Sequence, residues 1–449
     1  MKILVVGAGD VGSYLSHRLS LEGHEVTVIE TAPETAEQTD ESMNVRVIHG
    51  NGSSATTLMS AGAPKSDFLL ALTSDDTTNI VAGSLGKKLG VQQTAARIHD
   101  QTFSDNSVLN YQLHFGIDHL LNPEALCAVE IAKAIRNPGR VAVENFARGE
   151  IEMQQVRVSK RSRITGKPLK ELKIDGNVRI GYIQKTDTVL VPNADTQLEP
   201  DDLLTLVGAP TAIFDLKSKF DPETDREPRR VVIFGGTETA IALVRLLKNP
   251  RFRIRIIDGR EKTCRTLAER FGDVTIIHGS ATSLRLMEEE QVGSADYFVA
   301  CTKDDEDNIM TCLQAAQLGC RHVHLLINKP DYEEVLGQIK GTIGIEQVVS
   351  PRLVTGDEMM RLISREPFIE LAQLPGSDAK VIQVTVAADS TAANKKIREV
   401  GWPRGSVVVA LLHKYQAKVP GADDTVLPGD RAVVIVQEDQ LSNLLALVS

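Results

Sequence analysis

Aligned with itself at an offset of about 228 residues, the chain matches along most of its length. Val6-Gly7-Ala8-Gly9 faces Phe234-Gly235-Gly236-Thr237, Glu30 faces Asp258, and His49-Gly50-Asn51 faces His278-Gly279-Ser280. Thr73-Ser74-Asp75-Asp76-Thr77-Thr78-Asn79-Ile80 faces Thr302-Lys303-Asp304-Asp305-Glu306-Asp307-Asn308-Ile309, and Pro200-Asp201-Asp202 faces Pro428-Gly429-Asp430. Solenoid repeats run about 20–50 residues. A unit half the length of the chain is too long for that class, so the repeat is a tandem duplication, and one half must fold as the other does.

Each half opens in the same way. Ile3-Leu4-Val5-Val6 is short enough for a buried strand and ends in Gly7-Ala8-Gly9-Asp10-Val11-Gly12, which fits G-x-G-x-x-G. A helical pattern follows, with Val11, Tyr14, Leu15, Leu19 and Leu21 expected on one face. Gly7 permits the tight turn, Gly9 lets a pyrophosphate approach the backbone, and Gly12 lets the helix pack against the strand. The helix N-terminus offers N–H groups and positive dipole to phosphates. A second strand, Glu25 to Ile29, ends at Glu30, the place of a ribose-binding acid. A carboxylate there repels a 2′-phosphate, and no arginine follows in Thr31-Ala32-Pro33. NAD(H), ATP, ADP or AMP therefore fits this half and NADP does not.

Further strands are expected near 45–49, 67–71, 93–98 and 117–121, with helices between them such as Asp76 to Leu89. This alternation predicts a parallel sheet covered on both faces, with a ligand crevice at the carboxyl ends of its strands. Asn137-Pro138-Gly139 interrupts the pattern. Shorter β-rich segments follow at Ile151–Val158, Val178–Gln184, Val189–Val191 and Leu203–Val207, with a turn and short helix over Ile164–Leu172. The expected fold class is α/β: two doubly wound parallel-sheet Rossmann units, each followed by a small α+β module. The expected domains are 1–136, 141–220, 229–363 and 367–449. Asp221–Pro228, with its prolines and alternating charge, reads as a linker, and Val407–Leu412 is the clearest strand of the last module.

Three more stretches fall at carboxyl ends of strands in the first half. Asn51 lies where the adenine would border the third strand, Thr73 and Ser74 lie where hydroxyl and N–H groups meet phosphate, and Arg97 places a cation over the same crevice. The second half departs at informative positions. Thr237 stands for Gly9, Ala240 for Gly12 and Leu326 for Arg97, while Asp258 keeps the acid. A second crevice built on Gly235, Gly236 and Asp258 is expected to bind a nucleotide more weakly, differently, or not at all.

Composition closes other routes. Acids outnumber bases by 60 to 50, which argues against nucleic-acid binding through a basic surface. No run of 18 apolar residues occurs, and Met1-Lys2-Ile3 enters a strand with no signal-peptide pattern. Cys127, Cys264, Cys301, Cys312 and Cys320 show no C-x-x-C spacing and read as buried thiols. His322-Val323-His324 lacks a third ligand for a metal, and no G-x-S-x-G or Walker A pattern occurs. His49 and His278 end strands beside glycine, where a packed or capping role is expected. The small modules offer mainly Val, Ile, Leu, Lys and Gly, with no acid–base pair to place over a cofactor. A nucleotide site without chemistry indicates a sensor, not an enzyme, and ranks an NAD-dependent oxidoreductase below it.

Gly7 to Gly12, Glu30, His49-Gly50-Asn51-Gly52, Thr73 to Asn79 and Ala96-Arg97-Ile98 together resemble the KTN (RCK N-terminal) domain. Gly166-Lys167-Pro168-Leu169-Lys170-Glu171-Leu172 and Pro200 to Leu204 resemble the RCK C-terminal domain. The duplicated order is similar to the TrkA family of regulators of bacterial Trk potassium uptake. The resemblance implies a homotetrameric ring, peripheral on the cytoplasmic face of the inner membrane, that gates a potassium-translocating subunit of the TrkH or TrkG type. It implies NAD(H), ATP or ADP as regulatory ligand, with Gly7, Gly9, Asp10, Val11, Gly12, Glu30, Thr73, Ser74 and Arg97 at the family's nucleotide positions. A regulator of a potassium efflux system, or of another channel with the same domains, is the nearest alternative.

Overall fold

The computed structural model describes residues 1–104, 109–136, 151–162, 164–172, 174, 176–185, 189–220, 228–249, 251–363, 368–374, 378–413 and 416–449. The interruption at Asn137-Pro138-Gly139 and all but the last residue of the Asp221–Pro228 linker lie outside the described residues.

The first α/β segment contains β1 (Lys2–Val6), α1 (Asp10–Leu21), β2 (Glu25–Glu30), α2 (Pro33–Ser42), β3 (Arg46–His49), α3 (Ala55–Ser60) and β4 (Phe68–Ala71). It continues through α4 (Asp76–Lys88), β5 (Gln93–Arg97), α5 (Tyr111–Phe115), β6 (His119–Leu121) and α6 (Pro123–Arg136). The strands lie in the order β3-β2-β1-β4-β5-β6, all parallel, and the order reverses between β1 and β4. Alternation along β1 explains its central place. Ile3 and Val5 enter one apolar cluster with Val11, Leu15 and Leu19 of α1, while Leu4 and Val6 enter the cluster on the opposite face. Leu21 breaks the expected stripe and is 75% exposed. It lies two residues past Leu19, about 200° round the helix.

A four-stranded antiparallel module follows: β7 (Glu152–Arg157), β8 (Val178–Gln184), β9 (Val189–Leu190) and β10 (Leu203–Gly208), then α7 (Pro210–Phe220). The second α/β segment repeats the first with β11 (Arg229–Phe234), α8 (Glu238–Leu246), β12 (Phe252–Asp258), α9 (Glu261–Arg270), β13 (Thr275–His278), α10 (Leu284–Glu289) and β14 (Tyr297–Ala300). Next come α11 (Asp305–Leu318), β15 (His322–Leu326), α12 (Pro330–Ile339), β16 (Gln347–Val349) and α13 (Pro351–Ile363). Its sheet order, β13-β12-β11-β14-β15-β16, is that of the first. The last module holds β17 (Phe368–Gln373), β18 (Ala379–Thr385), β19 (Ser406–His413), β20 (Gln416–Lys418), β21 (Arg431–Gln437) and α14 (Leu441–Val448).

The four segments fold as two compact units, a pairing the linear order does not reveal. One unit joins Met1–Ile131 to Arg229–Ile363, and the other joins Ala132–Pro228 to Ser364–Ser449. Within the first, α13 covers the first sheet: Met359 and Ile363 lie in the same cluster as Ile3 and Val5. Gly356 makes the fit possible, since a Cβ there would come 2.5 Å from the Tyr14 ring. Arg18 pairs with Asp357 at 2.7 Å, and the Arg352 guanidinium lies 4.9 Å from the centre of the Tyr14 ring. Within the second unit, Met153, Tyr182 and Val207 share a core with Val381, Val409, Val433 and Ile435. The Arg179 guanidinium there donates to the carbonyls of Val408 and Pro420. A partly buried guanidinium needs such acceptors in place of the water it has lost, so this contact ties the two modules of the unit together.

Candidate functional site

The β1–α1 turn is built by its glycines. Gly7 sits at φ +97° and donates to the Ile29 carbonyl at 2.8 Å; a Cβ there would also press on Thr73 at 3.0 Å. Gly12 lets α1 close on the turn, since a Cβ would lie 1.9 Å from the Gly7 oxygen. Gly9 is different. It is the N-cap of α1, and a Cβ there would meet nothing within 4 Å, so this position faces open space above the turn. No side chain caps α1, which leaves the amides of its first turn directed at that space. Ala8 and Val11 are buried beneath it, and Asp10 begins the helix at the surface.

Glu30 closes one side. Its Oε2 accepts the Ala8 N–H at 2.7 Å, and its Oε1 accepts the N–H groups of Thr31 and Ala32 at 2.7 and 2.9 Å and the Thr31 hydroxyl at 3.2 Å. Burial raises its carboxyl, but the donors from Ala32, Ala8 and Thr31 outweigh this and hold it below its ordinary value. Oε2 has a single donor among the described residues, so one acceptor position remains for a ligand hydroxyl. His49 reaches the Thr31 carbonyl through Nε2 at 2.9 Å, which steadies the loop that supplies two of these donors.

On the far side of the turn, Thr73 and Arg97 are organised by a residue the sequence analysis does not single out as a site residue. Fully buried Asn79 accepts the Thr73 N–H and hydroxyl at 2.9 and 2.7 Å, and its amide donates to the carbonyls of Thr73 and Arg97 at 2.9 and 2.8 Å. Thr73 therefore spends its polar groups on holding the β4 end, while Ser74 lines the cleft beyond it. The guanidinium of Arg97 is largely buried and donates from Nη2 to the Thr73 carbonyl at 3.1 Å, but its buried Nε has no partner among the described residues. Burial lowers its pKa, while Glu124, Asp76 and Asp10 hold the charge. Asn51 spends its Oδ1 on Ser53, as an Asx turn does. Asn79 was legible as a signal, being identical in the two halves; it repeats as Asn308, which bonds Thr302 and the Leu326 carbonyl in the same way.

The cleft beside Ser74 has a volume of about 640 Å³ and is walled by Asp75, Asp76, His99, Asp100, Phe103 and Glu238. Asp75 caps α4, and Asp76 braces the β5 end by accepting the N–H groups of His99 and Asp100. His99 pairs through Nδ1 with Glu124 at 2.7 Å. Among the described residues no three His, Cys, Asp or Glu side chains are grouped to hold a metal. His322 bonds Glu346 and His324 bonds Gln347, and burial lowers the His324 pKa to about 4.

The second half keeps the turn and alters its mouth. Gly235 sits at φ +101°, and Gly236 donates to Asp258 Oδ2 at 2.7 Å as Ala8 donates to Glu30. Thr237 caps α8 by accepting the Ala240 N–H and donates to the Cys301 carbonyl at 2.9 Å. Asp258 is bound by Arg260 on both oxygens, Nε to Oδ1 at 3.0 Å and Nη2 to Oδ2 at 2.7 Å.

An amide-lined helix start, an open glycine, a carboxylate with a vacant acceptor position and a largely buried guanidinium whose Nε is unpaired among the described residues fit an anion joined to a diol, as in the diphosphate and ribose of an adenosine nucleotide. Comparison with known proteins places the chain in a family. The TrkA-N domain family matches residues 3–123 and 231–351, and the TrkA-C domain family matches 153–221 and 381–449. The chain is 28% identical over 442 residues to the Trk system potassium uptake protein TrkA homolog 2 of Methanosarcina mazei, covering 97% of each chain. It is 28% identical over 443 residues to the Trk system potassium uptake protein TrkA of Halomonas elongata, covering 97% of this chain and 96% of that one. Among solved structures, the GsuK channel bound to NAD superposes with a TM-score of 0.59 at 17% identity, over 100% of this chain and 78% of that one. GsuK bound to ADP superposes with a TM-score of 0.51 at 14% identity, over 81% and 69%. The chain belongs to the TrkA family, carrying its TrkA-N and TrkA-C domains twice in tandem.

Proposed function

We propose that the chain is a regulatory, non-enzymatic subunit of a Trk-type potassium uptake system, and that its first crevice takes NAD(H), ATP or ADP. The observation that carries the reading is the vacant acceptor on Glu30 Oε2 facing the uncapped start of α1. Gly7, Ala8, Gly9, Asp10, Val11 and Gly12 would lie along the diphosphate, Glu30 at the ribose, Asn51 toward the adenine, and Ser74 and Arg97 toward the distal phosphate or nicotinamide. Thr73 would serve through its place in the Asn79 network. When bound, the nucleotide supplies negative charge to Arg97 and the α1 amides, and a diol to Glu30.

A ligand shifts an equilibrium only through unequal affinity for two states, commonly by about 1–3 kcal/mol. The cleft that receives the distal end is walled by Ser74 of the first α/β segment and by Glu238 of the second, both within one compact unit. Whatever fills it bears on both segments, and this is where ATP, ADP and NAD(H) differ. The assembled form in this reading is a homotetramer on the cytoplasmic face of the membrane, joined to a TrkH- or TrkG-type translocating subunit. Among the described residues no helix is long and apolar enough to cross a membrane.

The test is calorimetry on the full chain with NAD, NADH, ATP, ADP and NADP, followed by potassium flux through a reconstituted Trk pore. Binding of the first four but not NADP, with flux that depends on the bound nucleotide, is the expected result. A pore indifferent to the protein, together with co-purification of an efflux antiporter, would move the reading to efflux regulation. Among the described residues, the His–acid pair beside the cleft is His99–Glu124 at 2.7 Å, and the last small module, where the sequence leads one to expect no acid–base pair, brings His413 and Asp430 together at 2.6 Å. Asp76 holds the His99 N–H and Asn122 the His99 carbonyl, which supports reading the His99–Glu124 pair as a brace of the β5 end, and steady NADH oxidation with a small substrate would reverse that reading.

A further inference from the structure

The two ribose acids differ in one respect that the sequence offset hides. Asp258 Oδ2 carries the Gly236 N–H, as Glu30 Oε2 carries the Ala8 N–H, but its second acceptor position is filled by Arg260 Nη2. Oδ1 takes the Arg260 N–H at 2.8 Å and Nε at 3.0 Å. All four acceptor positions of the carboxylate are thus used, and its side chain is only 4% exposed. A planar guanidinium presents two parallel N–H groups to one carboxylate, the pattern in which a ribose diol presents two O–H groups. The residue facing Arg260 in the first half is Ala32, which offers only a backbone N–H.

The phosphate end shows the same substitution. At α1 no side chain caps the helix and the space above Gly9 is open. At α8 the Thr237 hydroxyl takes the Ala240 N–H and turns its own proton to the Cys301 carbonyl, so it sits where an anionic oxygen would. We propose that the second crevice is closed to adenosine nucleotides by its own side chains: Arg260 occupies the ribose place on Asp258 and Thr237 the phosphate place on α8.

The inference extends the nucleotide reading of the first crevice and predicts one site per chain, not two. A nucleotide entering the second crevice must first break a two-pronged charged contact, and the diol it offers in return is neutral. Arg260 is 61% exposed, so its removal leaves the fold intact while vacating both acceptor positions.

The experiment is calorimetric stoichiometry of ADP on the full chain. The unaltered protein is expected to bind one ADP, Arg260→Ala to gain a second site at least about tenfold tighter than any residual binding there, and Arg260→Ala/Thr237→Gly to tighten it further. Arg260→Gln provides the same readout if the alanine variant folds poorly. Asp258→Asn must abolish the gained site and Glu30→Gln must leave it. An unaltered chain that binds no ADP, beside an Arg260→Ala chain that binds one lost on Asp258→Asn, refutes the first-crevice reading and keeps this one. Two sites in the unaltered chain, or no gain in either the single or the double variant, overturns the inference. NADP binding that is lost on Arg260→Ala also overturns it, for Arg260 would then be the ligand of a 2′-phosphate.

Discussion

Replacing Glu30 with Gln isolates the contribution of one carboxylate. Glu30 accepts three backbone N–H groups and one hydroxyl, and only Ala8 is served by Oε2. A glutamine places its carbonyl best toward Thr31 and Ala32, where it satisfies two N–H groups and the Thr31 hydroxyl, and this turns its NH₂ toward the Ala8 N–H and the ribose. The ligand-free protein then loses one hydrogen bond of partly buried backbone, about 1–2 kcal/mol. In a domain pair of this size that lowers Tm by about 2–6 °C. The bound state loses the charge-assisted acceptor of the ribose hydroxyl. The difference from a neutral partner is about 1–2 kcal/mol, or about 5- to 30-fold in Kd. Because adenosine is common to all the candidate ligands, NAD and ADP should weaken by the same factor, and Glu30→Arg should weaken both further. Titration calorimetry of each nucleotide on the folded variants measures both factors. Unchanged affinity for both refutes the ribose assignment; loss for one alone refutes the claim that the acid reads the shared part.

Gly9→Val should abolish first-site binding, by at least about 30-fold, with stability changed by no more than about 1 kcal/mol, because the added side chain enters open space in the free protein; thermal melts beside calorimetry separate the two. Arg97→Met should cost about tenfold in nucleotide affinity and no more than about 1–2 kcal/mol in stability, since it removes a largely buried cation whose Nε is unpaired among the described residues but also its Nη2 bond to the Thr73 carbonyl. Asn79→Ala should destabilise by about 2–4 kcal/mol in urea unfolding, since it strands the Thr73 N–H and removes the amide that serves the carbonyls of Thr73 and Arg97. Glu30 and Asp258 both hold carboxyls below their ordinary values of 4.5 and 3.8, so the unfolded chain binds protons first. Their stabilisation is complete above those values and is lost as pH falls through the folded ones. Melts between pH 6 and pH 3 should show that slope, reduced in Glu30→Gln.

The parts of the fold and site visible in the sequence are those set by contacts close along the chain. Strand alternation in Ile3–Val6, the glycine spacing and the position of Glu30 each follow from backbone geometry within about thirty residues; the second copy repeats the strand and an acid at Asp258, but keeps only the first glycine of the spacing, as Gly235. What escaped depends on contacts distant in sequence or on side-chain direction. The pairing of the α/β segments rests on Gly356 meeting Tyr14 and on Arg18 meeting Asp357, partners over three hundred residues apart. Leu21 falls outside the stripe because a step of two residues from Leu19 turns it about 200° round the helix, where the last turn of α1 is exposed. Asn79 stood in the repeated string, but nothing in an isolated Asn says that its amide will bridge two strand ends.

Arg260 shows why retention of a motif residue is weak evidence for retention of its function. Asp258 satisfies the fingerprint in type and spacing, and its N–H contact to the glycine turn is intact at 2.7 Å. An acid in that place has two duties, one to the turn behind it and one to a ligand before it. The first alone suffices to keep the acid, because removing it would leave the Gly236 N–H unpaired. A duplicated unit can therefore give up its ligand and keep the carboxylate, provided another donor covers the exposed side, and a cation two residues along is the shortest route to such a donor. The discriminating feature is then the residue that faces Ala32, not the acid, and where that residue is arginine the crevice carries its own counter-charge.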